Sequence, residues 1–356
     1  MEAAAVTFME KHHVPGLSVA IAKEGRLVYA HGFGVADKER IEEVTPNHLF
    51  RIASLSKPIT ATAIFRLIEK QKLRLSDKVF GPKAILGTEY GQLPYKQHVA
   101  EITVEHLLTH TAGGWQNDIN DPMFRHAKAD QKQLIALTIA SQPLQNPPGR
   151  HFAYSNFGFC ILGRVIEKLT GKPYAEAVQE EVLSPCGISG MRISGNTREE
   201  RAPREVIYYS QDGSDPYGLN LRRTDSHGGW LATATDLARF LVHVDKFPTK
   251  RDILRPNSID MMTAVSASSP GYAKGWCVNK YGNWWHTGSL PGTIAIMVRT
   301  AQQFCWAALA NTRGSGDLGG DLDKLVWEMV GNITTWPDHD LLAGPVINPG
   351  YLTRFG

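Results

Sequence analysis

Three groups of residues have the types and spacing to do chemistry. The first is Ser54-Leu55-Ser56-Lys57, inside FRIASLSKPITATAIFRLIEKQ. Residues three apart on a helix are neighbours, so a Lys57 amine can reach a Ser54 hydroxyl. A serine hydroxyl is a weak nucleophile at neutral pH and is commonly activated by an adjacent base. Lysine can be that base when burial or nearby positive charge holds it partly neutral. Alone the spacing says little: S-x-x-K arises about once by chance in a chain of this length. The same residues would also serve as a plain helix start, with Ser54 as its cap.

The second group is Tyr154-Ser155-Asn156, in PPGRHFAYSNFGFCILG, directly before a long apolar helix. A tyrosine relays protons where neighbouring cations lower its phenol pKa, and an asparagine amide can bond both a lysine amine and a substrate amide. Ser155 reads as the cap of the helix that follows. The third group is His286-Thr287-Gly288-Ser289, on a strand near the C-terminus. There a glycine allows close backbone approach, and an edge strand can offer N–H groups to a carbonyl oxygen. Tyr281-Gly282-Asn283 repeats the Y-x-N spacing but reads as a hairpin turn.

The elements that must position these groups are legible. Residues 3–12 form a helix, and 17–23 and 26–34 are strands joined by a tight turn at Glu24-Gly25. A strand over 49–54 leads into a helix with an apolar stripe of Ala61, Ile64, Phe65 and Ile68. Helices are expected over 102–110, 132–141, 157–171 and 233–244, the last capped by a Thr or Asp. Strands return over 272–280, 283–288, 293–301 and 304–312, followed by a closing helix over 321–332. Strands at both ends with helices between predict an α+β fold. One antiparallel sheet draws on both termini (1–58 and 230–340), a mainly helical domain (59–229) is inserted, and 341–356 form a tail.

Composition narrows the function classes. The 356 residues carry 38 Lys plus Arg against 35 Asp plus Glu, and no block of like charge suggests a nucleic-acid or polybasic membrane partner. No apolar run approaches the roughly 18 residues that span a bilayer. The N-terminus MEAAAVTFMEKHHVPG lacks the pattern of a secretory signal. The sequence as written is therefore expected to be cytoplasmic, or periplasmic or secreted if a signal has been trimmed. The four cysteines are scattered, and Cys277 and Cys305 read as small buried hydrophobes. His106 and His110 have a zinc-compatible spacing, but without HExxH or a third ligand nearby no metal is assigned.

Taken in order, Ser54-x-x-Lys57, Tyr154-Ser155-Asn156 and His286-Thr287-Gly288 resemble the signature of the serine β-lactamase and penicillin-binding protein superfamily. The resemblance is closest to its class C β-lactamase-like branch, which includes D-alanyl-D-alanine carboxypeptidases, D-aminopeptidases, family VIII carboxylesterases and LACTB-like proteases. VPGLSVAIAKEGRLVYAHGFGVAD, ITVEHLLTHTAGG and GGWLATATDLARF extend it over nearly the whole chain. It implies a β-lactamase/transpeptidase-like fold, no cofactor, and an acyl-enzyme on Ser54. Lys57 and Tyr154 would share the proton transfers, in an order left open, and Asn156 would orient Lys57 and touch the substrate. The backbone N–H groups of Ser54 and Ser289 would form the oxyanion hole, and Thr287 and Gly288 would flank the substrate.

His286 departs from most β-lactamases of the superfamily, which carry lysine there. A lysine is a permanent cation that attracts a substrate carboxylate, whereas an unperturbed histidine is mostly neutral at pH 7. This favours an esterase or carboxypeptidase acting on a small ester or short D-amino-acid peptide. A β-lactamase, or a penicillin-binding sensor that acylates without turnover, is the alternative. The Gly-x-Ser-x-Gly elbow of α/β-hydrolases is absent. Trp115 and Gln116 border the expected cleft as candidate substrate contacts. Trp284 and Trp285 alternate across their strand, so only one of them can line the site.

Overall fold

The computed structural model describes residues 1–343 apart from positions 127, 315 and 332, so most of the expected tail (344–356) and Asn332 lie outside the described residues. Helix α1 (Glu2–His12) leads into strands β1 (Gly16–Lys23), β2 (Arg26–Asp37), β3 (Glu42–Glu43) and β4 (Phe50–Arg51). Helices α2 (Ser56–Glu69), α3 (Val104–Leu108), α4 (Gln131–Ser141), α5 (Asn156–Thr170) and α6 (Tyr174–Val178) follow. Short strands β5 (Arg192–Ile193), β6 (Tyr209–Ser210) and β7 (Trp230–Ala232) precede α7 (Ala234–Leu241) and α8 (Pro256–Thr263). The chain then runs through β8 (Cys277–Val278), β9 (Trp284–Leu290), β10 (Thr293–Arg299), β11 (Phe304–Ala310) and β12 (Thr312–Arg313) to α9 (Leu318–Gly331).

The main sheet has the order β3-β2-β1-β11-β10-β9-β8, and every pairing in it is antiparallel. This is the α+β arrangement expected, with a large antiparallel sheet built from both ends of the chain. Its centre is the pairing of β1 with β11, in register Val19↔Ala308. The turn from β1 to β2 puts Glu24 and Gly25 both at positive φ, 50° and 76°. Those dihedrals give the turn the twist of the strands it joins.

Side-chain alternation divides the core in two. Leu17, Val19 and Ile21 face one way with Trp306, against Phe8 of α1 and Leu322 and Val326 of α9. Ala20 and Ala22 face the other way with Ala307 and Leu309, in the cluster that holds Leu237 and Leu241 of α7 and Ile64 and Phe65 of α2. Both faces of β1 are covered, which is why its sequence is continuously apolar instead of alternating. Alanines on the second face leave room for α7, which packs across β1 and β11.

Several expected elements are shorter in the structure. The strand over 49–54 reduces to Phe50–Arg51, which pairs with β7 in a separate three-stranded sheet. Ala53 then takes φ 48°, and Ala53–Leu55 form a 3-10 turn, so Ser54 precedes α2 instead of lying within it. The strand over 272–280 keeps only Cys277–Val278, because Ala273 N–H bonds the Trp276 carbonyl at 2.7 Å and closes a turn. The helix over 102–110 keeps five residues, Val104–Leu108, and His110 leaves it at φ 57°. Cys305 is buried, but Cys277 is only half-buried.

Capping sets the other helix starts. Thr233 caps α7 and Asp130 caps α4, each in a reciprocal capping box, and the Ser155 hydroxyl accepts from Gly158 N–H at the start of α5. Tyr281-Gly282-Asn283 is a turn, closed by Gly282 N–H on the Asn279 carbonyl at 3.2 Å.

Candidate functional site

The 3-10 turn presents Ser54 and α2 presents Lys57. The Lys57 side chain is fully buried, and its Nζ lies 3.0 Å from Ser54 Oγ, 2.8 Å from Asn156 Oδ1 and 3.1 Å from the His227 carbonyl. An ammonium donates to all three. A neutral amine donates to two and accepts the Ser54 proton with its lone pair. Burial pushes the amine down to about 7, with the Asp121 carboxylate pulling the other way.

Asn156, the first residue of α5, connects the two halves of this arrangement. Its Oδ1 accepts from Lys57, and its Nδ2 donates to Asp121 Oδ2 at 2.8 Å. Asp121 is buried and its Oδ1 also accepts Met123 N–H at 2.9 Å.

Tyr154 packs face-on to the same amine, with Lys57 Nζ 4.7 Å from its ring centre. Burial pushes the phenol well above its ordinary value, against the smaller pull of a hydrogen bond with Ser54. The phenol is therefore protonated at neutral pH. His110 supports it from behind. The His110 ring lies 4.3 Å from that of Tyr154, and its Nδ1 accepts Ser155 N–H at 3.0 Å.

Strand β9 supplies the third group. Gly288 packs on the turn that carries Ser54: a Cβ on it would lie 2.3 Å from the Ile52 carbonyl oxygen. Only a glycine lets the two backbones approach this closely. His286 is buried beneath. Its Nδ1 lies 2.6 Å from the Thr287 carbonyl, which can only accept, so Nδ1 carries the proton. Nε2 is then the acceptor for the Tyr272 hydroxyl at 3.1 Å. Burial first, and the Lys57 charge second, push the imidazole down to about 3. This histidine is neutral and locked between two partners.

Ser54, Asn156, Ser289, His227, Asn117, Phe124 and Arg313 line a cavity of about 300 Å³. A larger hollow, about 800 Å³, lies between α4 and residues 91–96 and contains none of these residues. Thr287 projects outward from β9 and is exposed.

The structure therefore brings together Ser54, Lys57, Tyr154, Asn156, His286, Gly288 and Ser289. It does not bring in Trp115 or Gln116. The Trp115 side chain is buried, its indole N–H donates to the Gln142 carbonyl at 3.1 Å, and its ring packs on Phe157, so it is a core residue. Gln116 is exposed and bonds Asp118, and Asn117, one position later, lines the cavity instead. Neither Trp284, which stacks on Arg299, nor Trp285 is among the lining residues. His106 is occupied in the capping box of α3, and no group of three potential metal ligands occurs among the described residues.

Sequence reasoning missed Asp121, Tyr272, His110 and His227. The Asp121-Pro122 pair carries a helix-start signal that could have singled out the aspartate. Nothing local distinguishes the other three, whose roles depend on neighbours far away in the chain.

The Beta-lactamase family model matches residues 1–330. Protein flp of Staphylococcus aureus (strain MRSA252) is 25% identical over 312 residues, covering 85% of this chain and 60% of that protein. Penicillin-binding protein 4* of Bacillus subtilis (strain 168) is 28% identical, covering 82% of this chain and 67% of that protein. This chain thus spans about 60% of the length of the S. aureus relative. The D-amino acid amidase of Ochrobactrum anthropi SV3 complexed with D-phenylalanine superposes with a TM-score of 0.75 at 23% identity, over 93% of this chain and 99% of that one. The octameric penicillin-binding protein homologue from Pyrococcus abyssi gives a TM-score of 0.72 at 26% identity, over 92% and 76%. EstCE1, a hydrolase with promiscuous acyltransferase activity, gives 0.75 at 21%, over 92% and 97%. No helix among the described residues is long and apolar enough to cross a membrane. The chain has the β-lactamase/transpeptidase-like fold and belongs to the Beta-lactamase family of serine hydrolases.

Proposed function

We propose that the protein hydrolyses a small ester or a D-amino-acid amide or peptide through an acyl-enzyme on Ser54, with Lys57 as the acylation base. One observation carries this reading: a fully buried amine, pushed down to about 7, lies 3.0 Å from the Ser54 hydroxyl. At neutral pH a large fraction of such an amine is free to take a proton. The protonated phenol of Tyr154 is not available as a base, but it can give a proton to the leaving group.

Ser54 Oγ attacks the substrate carbonyl carbon while its proton passes to Lys57 Nζ. The resulting oxyanion is held by the Ser54 and Ser289 backbone N–H groups, each such donor being worth roughly a hundred- to a thousand-fold in rate. Collapse of the intermediate breaks the bond to the leaving group, which departs with a proton delivered from Tyr154. The phenol regains its proton from the Lys57 ammonium. Water then attacks the acyl carbon and gives a proton to the same pair; the bond from that carbon to Ser54 Oγ breaks, and the pair returns the proton to Oγ as the acid leaves.

The neutral, locked His286 gives a substrate carboxylate no cation at that position, which supports esters and neutral amides over penicillins and cephalosporins. Kinship with penicillin-binding protein 4* keeps acylation by β-lactams as the second reading. Intact-mass time courses with p-nitrophenyl butyrate and with benzylpenicillin, beside a Ser54→Ala control, separate the two. Ester turnover lost in Ser54→Ala supports the first reading. A lasting adduct of one penicillin mass that is absent from Ser54→Ala supports the second; ester turnover that survives Ser54→Ala defeats the first, and a penicillin adduct that survives it defeats the second.

A further inference from the structure

Asp121 is a buried carboxylate that the acylation steps above leave unused. It lies beyond Asn156 from the reacting atoms and touches neither Ser54 nor the cavity. Its two oxygens are committed, Oδ2 to Asn156 Nδ2 and Oδ1 to Met123 N–H. That commitment determines which way the Asn156 amide faces. An amide has one acceptor and one donor end, and only one orientation satisfies both neighbours. With a carboxylate on one side the NH₂ must point to Asp121, so the oxygen must point to Lys57.

We infer that Asp121 is a positioning residue for the proposed acylation, fixing the Asn156 amide and holding a compensating negative charge on the far side of that amide from Lys57. The inference rests on the reading of Lys57 as base. The titratable groups around the pair are few. Asp118 lies on the same loop as Asp121 and His227 supplies its carbonyl to Lys57, while the Tyr154 ring packs on the amine and His110 and His286 feel its charge. Burial makes the three histidines hard to protonate, so they add no standing charge. Burial pushes the Asp121 carboxyl above its ordinary value, while the bonds from Asn156 and Met123 and the Lys57 charge pull it back; as a carboxylate it opposes the loss of the Lys57 proton.

An asparagine at 121 has one acceptor where two are needed. If its oxygen stays on Met123 N–H, its NH₂ faces the Asn156 NH₂ and drives that amide to flip. The flipped amide presents a donor to the Lys57 ammonium, and the compensating charge is gone as well. Both effects disfavour the charged amine, so the base is free at lower pH while its aim is lost.

The test is the pH profile of kcat/KM for p-nitrophenyl butyrate in wild type, Asp121→Asn and Asp121→Glu. The wild type is expected to show an acid limb near pH 7, where Lys57 titrates. In Asp121→Asn that limb moves to lower pH by roughly one pH unit, and the plateau falls about ten- to a hundred-fold. Asp121→Glu keeps the charge and is expected to return the limb to its wild-type position, with a reduced plateau. Asp121→Ser gives the same reading as Asp121→Asn if the latter does not fold. A Lys57-dependent limb that stays in place without the carboxylate overturns the inference and leaves the Ser54 chemistry standing. A wild type with no such limb overturns the base assignment and this inference with it.

Discussion

Gly288 in β9 and Ile52, just ahead of the Ser54 turn, are in backbone contact, closely enough that a Cβ on Gly288 would lie 2.3 Å from the Ile52 carbonyl oxygen and 3.2 Å from Ala53 Cβ. This contact joins the far end of the sheet to the turn that carries Ser54, and so sets the distance between the two proposed oxyanion donors. Gly288→Ala must push β9 away. Ester hydrolysis is expected to fall by about a hundred-fold or more, as for loss of one oxyanion donor. Stability falls by only about 1–3 kcal/mol, as for other overpacked sites. Steady-state kinetics beside urea melts check this, and a variant with near-wild-type turnover would remove the Ser289 N–H from the mechanism.

Burying the Lys57 amine costs stability wherever it would otherwise be charged. Its folded pKa, about 7, is depressed below the ordinary lysine value of 10.5. The unfolded chain therefore binds more protons than the folded one between about pH 7 and 10.5, and stability rises with pH across that window. Lys57→Met removes the buried amine. The variant is expected to be inactive and to melt above the wild type at pH 7, with the gap narrowing towards pH 10. Thermal melts at several pH values test the sign, and a gap that widens with pH contradicts it.

His286 does not titrate near neutrality, since burial and the Lys57 charge push it down to about 3. Replacing it by Asn should lower the rate through lost packing and the lost bond to Tyr272, but should leave the acid limb of the profile near pH 7. An acid limb that disappears in His286→Asn would transfer the titration from Lys57 to this ring.

His286→Lys introduces a cation where the ring is neutral. The second-order rate of acylation by benzylpenicillin, followed by intact mass, is expected to rise relative to that of p-nitrophenyl butyrate, because the drug carries a carboxylate and the ester does not. An unchanged ratio would mean that this position does not meet the carboxylate.

Trp115→Phe separates packing from recognition. It loses the hydrogen bond to the Gln142 carbonyl, worth about 1 kcal/mol, and keeps most of the contact with Phe157. A small drop in melting temperature with unchanged KM is expected. Asn117→Ala, in the cavity wall, should instead raise KM without lowering the melting temperature.

The site groups were legible because each needs a local pattern. Ser54 and Lys57 must be three apart to share one side of a turn, the Ser155 cap marks where α5 begins, and Gly288 stands out in an otherwise bulky strand. The large antiparallel sheet was legible from apolar runs at both ends of the chain. The loop after His110 was not. Trp115, Gln116 and Asn117 are consecutive, and nothing in their order says which one turns inward. The backbone places Trp115 at φ 60°, and that dihedral, set by contacts with residues 142 to 157, decides it.

The sequence by itself determined the candidate site groups and one antiparallel sheet drawn from both ends of the chain, since these follow from spacing, periodicity and the order of motifs along the chain. Only the tertiary structure decided their protonation. The low pKa of Lys57 and the protonated Tyr154 come from burial, and the hydrogen-bond partners of Lys57 and of His286 Nε2 lie 14 to 170 residues away, at Tyr272, Asn156 and the His227 carbonyl. Desolvation is a property of the assembled interior, and no local pattern of residues records it.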